Sequence, residues 1–336
     1  MAMRTLNISV VVPVYAGREY LDKLYDEVLA VRQEWSEKSY PMQICELIFV
    51  DDGSSDGSEE VLRQLESHDW IKVITMSRNY GQHPATIAGI SYSTGDWVFT
   101  IDEDLQHKPA AFFGMLRECI LQKCDILYAK PQSWVHKSVF RDVSSRFVKW
   151  LMARLAKNPN IQNFNSFRLI RGSIARTAAA SSGHESFYDI VLGWQSTRVT
   201  TLEIDMEDMR YTQEKKSGYN FRKLLSHSRK LIMTSDARIL RLFGLVALIS
   251  VAFCLAFSGF VLIQKILFPT FIAAPGWASM MVALLMTTSV ISTILSIISE
   301  YIATIVQHIN GKPSFCIVDR STDEELRAFF TSGKEP

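Results

Sequence analysis

The sequence predicts an α/β protein built on a mainly parallel sheet with helices on both faces, followed by a pair of membrane-spanning helices. Short apolar, β-branched runs alternate with amphipathic stretches from Leu6 to Ala129, which is the pattern of a parallel sheet covered by helices. Two of those runs end in clustered carboxylates, Asp51–Asp52 and Asp102–Glu103–Asp104. The composition then changes sharply near Arg241, beyond which two long stretches carry no charged residue.

The strand-like runs are NISVVVPV, ICELIFV, WIKVITM, WVFTI and DILYA. Between them lie REYLDKLYDEVLAVRQEW, SEEVLRQLESH, PATIAGISYS and PAAFFGMLRECILQ, with apolar residues at helical spacing. Further on, TRVTTLEIDM can add a strand, and RYTQEKKSGYN is polar and loop-like. The stretch from Ser133 to Lys157 places Val135, Val139, Phe140, Val143, Phe147, Trp150, Leu151 and Leu155 at helical spacing. Lys137, Arg141, Arg146, Lys149, Arg154 and Lys157 fill much of the rest. A basic amphipathic helix with a Trp suits an anionic membrane surface, and the segment 219–240 reads similarly.

Leu242–Ile263 and Gly276–Ser299 are each long enough to cross a hydrocarbon core, which takes about 20 helical residues. Arg222, Lys223, Arg229, Lys230, Arg238 and Arg241 precede the first stretch, Lys312 and Arg320 follow the second, and the connecting loop holds only Lys265. The bias of basic residues toward the cytoplasm then puts both termini inside. The expected organisation is a cytoplasmic catalytic domain over 1–218, a juxtamembrane helix over 219–240, two spans within 241–304 and a cytoplasmic tail over 305–336. The expected location is the inner (cytoplasmic) membrane, crossed more than once. A net charge of +1 names no partner, and no nucleic acid is expected. Five cysteines without a C-x-x-C pair argue against a disulfide framework or a zinc site and suit a reducing compartment.

Parallel sheets bind ligands beyond the carboxyl ends of their strands, so the acidic strand ends are the candidate site. Asp51 and Asp52 lead into a Gly-Ser turn; a carboxylate there can accept hydrogen bonds from a ribose or a base, and Asp and Ser also serve turns and helix caps. In SRNYGQHPATIAG, Gly81 permits a tight turn, the helix near Pro84 offers N–H groups to an anion, and Arg78 can face a diphosphate. Ala85, Ala88 and Gly89 suit close helix packing. At ~4 Å and an effective dielectric near 20, each like-charge contact in Asp102–Glu103–Asp104 costs about 4 kcal/mol, so a positive partner or water must offset it. His83 and His107 border this site as polar lining residues.

Taken in order, VVPVY, VDDGSSDGS, RNYGQHPATIAG, D-x-D-L-Q, SGYNFRKL, the paired apolar stretches and SEYIA resemble the family 2 glycosyltransferases of GT-A fold. Within them they are most similar to the membrane-anchored polyprenyl-phosphate glycosyltransferases. The resemblance implies that Pro13, Tyr15, Val50 and Asp52 line a nucleotide pocket. Asp102, Asp104 and Gln106 would hold Mg²⁺ or Mn²⁺ against a sugar-nucleotide diphosphate, with Arg78 nearby. Glu103 would point to solvent or touch the sugar. Arg168 in NSFRLIRG would lie beside the active site, and the loop of Arg210, Lys215, Lys216 and Ser217 would meet the diphosphate and a lipid phosphate. Relatives often carry an acid in P-x-Y-N-E where this chain reads PVYAG, and Glu19 lies two positions too late to replace it.

The implied activity is inverting transfer of a sugar, from a UDP-sugar foremost, to polyprenyl (undecaprenyl) phosphate, by a homo-oligomer whose product a separate flippase turns outward. The alternatives are a GT-A transferase acting on a hydroxyl acceptor, and a silent membrane scaffold retaining the fold.

Overall fold

The computed structural model describes residues 4–131, 163–183, 186–204, 276–309 and 313–319, with isolated helical positions between 249 and 267. The chain forms two compact units, one of residues 1–234 with 313–336, the other of residues 235–312.

The first unit holds β1 (Leu6–Val14), α1 (Leu21–Glu37), β2 (Met42–Asp51), α2 (Ser58–Leu65), β3 (Ile71–Thr75), α3 (Gln82–Tyr92) and β4 (Trp97–Thr100). After a 3₁₀ turn at Pro109–Ala111 come α4 (Phe112–Leu121), β5 (Ile126–Pro131), β6 (Arg168–Arg171), α5 (Gly172–Ser181), α6 (Tyr188–Gln195) and β7 (Val199–Ile204). The seven strands form one sheet in the order β3-β2-β1-β4-β6-β5-β7. Every pairing is parallel except those of β6, which runs antiparallel to both β4 and β5.

Side chains alternate across a strand, and here the alternation divides each central strand between two cores. Ile8, Val10, Val12 and Val14 of β1 face α1, α2 and α4, together with Leu47 and Phe49 of β2. Val11, Ile48 and Val50 face α3, α5 and α6. The second layer lies close because α3 is built of small residues. A Cβ added at Gly89 would come within 2.4 Å of Val11 and 2.9 Å of Val50.

The expected strands and the four expected helices all form. Three elements had no clear signal: β6, a four-residue RLIR flanked by arginine, and the helices α5 and α6. Cys119 and Cys124, both buried, are joined by a disulfide where the chain reverses between α4 and β5. It is one local cross-link and not a framework. The cause is the reversal itself, which brings the two Cα atoms to 5.0 Å.

Beyond the second apolar stretch the chain rejoins the first unit. Met76 and Ile317 form an antiparallel bridge, Val318 N–H donates to the Thr75 carbonyl at 2.9 Å, and Ser77 N–H donates to the Cys316 carbonyl at 2.9 Å. Phe315 and Ile317 pack on the second core. Residues 313–319 thereby cover the end of the edge strand β3, whose unpaired groups would otherwise offer a template for another chain.

In the second unit, Trp277–Ile309 forms α7, a helix of 33 residues. Its stretch Met286–Ala303 is long and apolar enough to cross a membrane, and it is the one such helix among the described residues. Met280, Leu284, Ile291, Leu295, Ile302 and Ile305 expose their side chains on it. The amphipathic helix expected at 133–157, the segment 219–240, Arg210, Lys215, Lys216, Ser217, most of Leu242–Ile263 and the tail beyond 319 lie outside the described residues.

Candidate active site

β1 lies between β2 and β4, so successive crossovers leave it in opposite directions and open a crevice at its carboxyl end. A cleft of about 430 Å³ occupies that position. Pro13, Val14 and Tyr15 line it from the end of β1, Asp52 from β2, Asn79, Gly81 and Gln82 from the turn into α3, and Asp102, Glu103, Asp104 and Gln106 from the end of β4.

The loop after β4 separates its three carboxylates. The Asp102 N–H donates to His107 Nδ1 at 3.0 Å, which leaves the ring proton on Nε2. His107 is buried and stacks on Phe167, and burial holds its pKa below the ordinary value against the pull of Asp102 and Asp104. Leu105 adopts φ +62° with its side chain in the first core, a turn uncommon for a bulky residue. Around that turn, Gln106 donates to Asp104 through its backbone N–H at 3.3 Å and its side-chain amide at 3.1 Å. Gln82 Nε2 and Ser166 Oγ donate to Asp102 at 2.5 and 2.8 Å. Glu103 accepts the backbone N–H groups of Tyr15 at 2.8 Å and Ala16 at 3.2 Å. Each acid thus faces its own donors, which reduces the repulsion that adjacent carboxylates imply.

The residues fit a hard divalent cation. Asp102, Asp104 and the Gln106 carbonyl offer oxygen donors on one wall of the cleft. Among the described residues no group of three or more His, Cys, Asp or Glu is placed to hold a metal. A cation here would take few protein ligands and complete its shell from phosphate and water, as Mg²⁺ commonly does.

Asp52 is 3% exposed. Tyr80 N–H donates to one of its oxygens at 2.6 Å and Gly81 N–H to the other at 2.7 Å. Burial raises its pKa, and these two hydrogen bonds only partly offset that. It therefore braces the turn into α3 while lining the cleft. Asp51 and Asp56 serve the turn, accepting from Ser54 N–H at 2.8 Å and Ser58 N–H at 3.0 Å. Arg78 is exposed beside this turn with its guanidinium 4.1 Å from the Tyr80 ring centre.

Two sequence candidates lie away from the cleft. Val50 is fully buried, because alternation along β2 turns it toward Gly89 while Asp52, past the strand end, turns to the cleft. Arg168 is 2% exposed. It pairs with the buried Asp189, donates through Nε to Thr100 Oγ1 at 3.0 Å and lies over the Tyr188 ring. Thr100 in turn donates to the Ser166 carbonyl at 2.6 Å, so Arg168 stands behind the wall that carries Asp102. Sequence reasoning assigned no role to Gln82, Ser166 or Asn79. Gln82 belongs to the turn segment RNYGQHP, and no local signal fixes which way its side chain points.

The chain is similar to known proteins in sequence and in fold. A curated relative from Edwardsiella ictaluri, named undecaprenyl-phosphate 4-deoxy-4-formamido-L-arabinose transferase, is 28% identical over 92% of this chain and 93% of its own. An uncharacterised glycosyltransferase from Synechocystis is 26% identical over 94% of this chain and 96% of its own. The crystal structure of mannosyl-3-phosphoglycerate synthase from Rubrobacter xylanophilus is 17% identical with a TM-score of 0.48, covering 71% of this chain and 75% of that one. The family model for glycosyl transferase family 2 matches residues 9–181, from β1 to the end of α5. With a mostly parallel mixed sheet of GT-A type and a match over half its length, the chain belongs to glycosyl transferase family 2.

Proposed function

We propose that the protein is an inverting glycosyltransferase that moves a sugar from a nucleotide sugar, a UDP-sugar foremost, to polyprenyl (undecaprenyl) phosphate. Transfer takes place at the cytoplasmic face of the inner membrane and yields a polyprenyl-monophosphate sugar. One observation carries the reading: relatives named as undecaprenyl-phosphate sugar transferases match 92–93% of this chain. That likeness runs well beyond the catalytic sheet into the apolar C-terminal region.

The chemistry of the cleft suits such an acceptor. An alcohol holds its proton at neutral pH and generally needs a base. A phosphate monoester has a second pKa near ~6, so its oxygen is already a nucleophile. The residues then have three tasks. Tyr15 and Asp52 flank the nucleotide, with Arg78 at its diphosphate. Asp102 and Asp104, with Gln106, hold Mg²⁺ or Mn²⁺, and Gln82 and Ser166 fix the direction of Asp102. When bound, that cation supplies neutralisation of the departing diphosphate. Arg210 and Lys216 draw the two anions together, Ser217 contacts the donor, and Arg168 supports the Asp102 wall from behind.

In this reading residues 1–218 form the catalytic domain with the interfacial helix 133–157. The segment 219–240 is juxtamembrane, 241–304 holds two spans, and 305–336 is a cytoplasmic tail. Cysteines placed in the loop from Gln264 to Pro275 should then label from outside the cell, and cysteines near Ser332 should not. The active form is a homo-oligomer, and a separate flippase handles the product.

The test is a panel of radiolabelled sugar nucleotides given to the purified protein with undecaprenyl phosphate or undecaprenol. Transfer to the phosphate alone, falling as pH drops through about 6 as the acceptor is protonated, supports the reading. Equal transfer to the free alcohol overturns it in favour of a hydroxyl acceptor. No turnover of any donor would leave a silent scaffold.

A further inference from the structure

We infer that Glu103 is a positioning residue that seats the Tyr15–Gly17 loop as the donor-side wall of the cleft, and that Gly17 is a glycine because Glu103 occupies its side-chain space. The inference rests on the proposed use of this cleft for a nucleotide sugar.

The argument begins with the end of β1. Its pairing with β4 stops at Val11 and Thr100, and its pairing with β2 stops at Val14 and Asp51. The next two N–H groups, of Tyr15 and Ala16, lie past the sheet and need another acceptor. Glu103 reaches across from the β4 loop and accepts both, one on each carboxylate oxygen. Two consecutive N–H groups around one carboxylate form a small anion-binding concavity. Glu103 is only 8% exposed, so water competes little for these bonds.

Gly17 closes the arrangement. Its carbonyl accepts the N–H groups of Tyr20 at 2.7 Å and Leu21 at 3.1 Å, opening α1. Its φ is not in the left-handed region, so the backbone alone would accept any residue. Space decides instead: a Cβ at position 17 would lie 2.6 Å from Glu103 Oε2 and 3.0 Å from its Cδ. A side chain at 17 and the seated carboxylate at 103 exclude one another. Asp102 and Asp104 flank Glu103 in sequence, so the loop that carries the candidate cation ligands also holds the end of β1, where Tyr15, 48% exposed, lines the cleft.

A double-mutant cycle in the full-length protein tests this, using wild type, Glu103→Ala, Gly17→Ala and the double variant. Donor KM, kcat, UDP affinity by calorimetry and melting temperature are read for each. Glu103→Ala should raise donor KM and the UDP Kd about tenfold, the loss of about one charge-assisted hydrogen bond, with kcat changed less than about threefold. Gly17→Ala should do the same by displacing Glu103. The double variant should be no worse than Glu103→Ala alone, because the clash is then gone. Glu103→Gln, with one acceptor oxygen in place of two, should fall between.

Additive penalties, or a donor KM unmoved by Glu103→Ala, would overturn the proposal. So would coupling seen only in melting temperature, which would reduce Glu103 to a structural brace. Failure of the wild type to bind or turn over any nucleotide would sink the donor reading itself, whereas a wild type that binds UDP with a flat cycle sinks only the role of Glu103.

Discussion

Arg168→Ala should act on the stability of the catalytic unit before it acts on chemistry. The guanidinium is buried against Asp189, which is 3% exposed and otherwise accepts from Tyr128 Oη at 2.9 Å. Removing the arginine leaves a buried carboxylate with one neutral donor and leaves Thr100 without its Nε–H partner. Breaking a buried pair from one side costs about 3–5 kcal/mol. For a unit of this size each kcal/mol lowers the melting temperature by about 2–4 °C, so the expected fall is roughly 6–20 °C. The assay is thermal unfolding of the detergent-purified protein, run beside sugar transfer at a temperature where the variant is folded. Replacing both partners by apolar residues, Arg168→Met with Asp189→Leu, should recover most of the loss, because the desolvation of both charges goes with them. If Arg168→Ala melts within about 2 °C of wild type while transfer collapses, the brace argument is wrong and the guanidinium acts on the reactants.

Asp104→Asn should cut transfer at least about a hundredfold with an unchanged melting profile, since it removes one of the two carboxylate charges that would hold the cation; full activity in excess EDTA would remove the metal from the reading. Glu46 should make the fold acid-sensitive. Burial alone would raise its pKa, but hydrogen bonds from Lys72, Ser9 and Thr94 outweigh burial and hold it below 4.5. The stability it contributes is present above that pH and lost as pH falls through the lowered value. Glu46→Gln should cost about 1.5–3 kcal/mol in urea melts at pH 7, and the gap to wild type should narrow toward pH 4. Ile317→Asp should destabilise the catalytic unit by about 2 kcal/mol by unpacking the segment over β3; an unchanged urea midpoint would show that the segment adds nothing.

What the sequence determined by itself is whatever a local period or composition can carry. Short unbroken apolar, β-branched runs placed the central strands, helical spacing placed α1 to α4, and the absence of charge marked the apolar stretches. The carboxylates at the ends of β2 and β4 were legible for the same reason, since an acid directly after a buried apolar run has only the strand end on which to sit. Tertiary structure decided the rest, because it depends on partners distant in the chain. β6 is four residues between arginines, and only its antiparallel place between β4 and β5 makes it a strand. That same register seals Arg168 against Asp189 behind the site, whereas the family resemblance implied a place beside the reactants. Val50 and Asp52 are two residues apart, yet the strand ends between them, so one enters the core and the other the cleft. Glu103 turns from solvent to backbone groups 87 and 88 positions earlier. No periodicity encodes such a contact; it exists because the sheet sets β1 beside β4, and two N–H groups past the end of a strand need an acceptor.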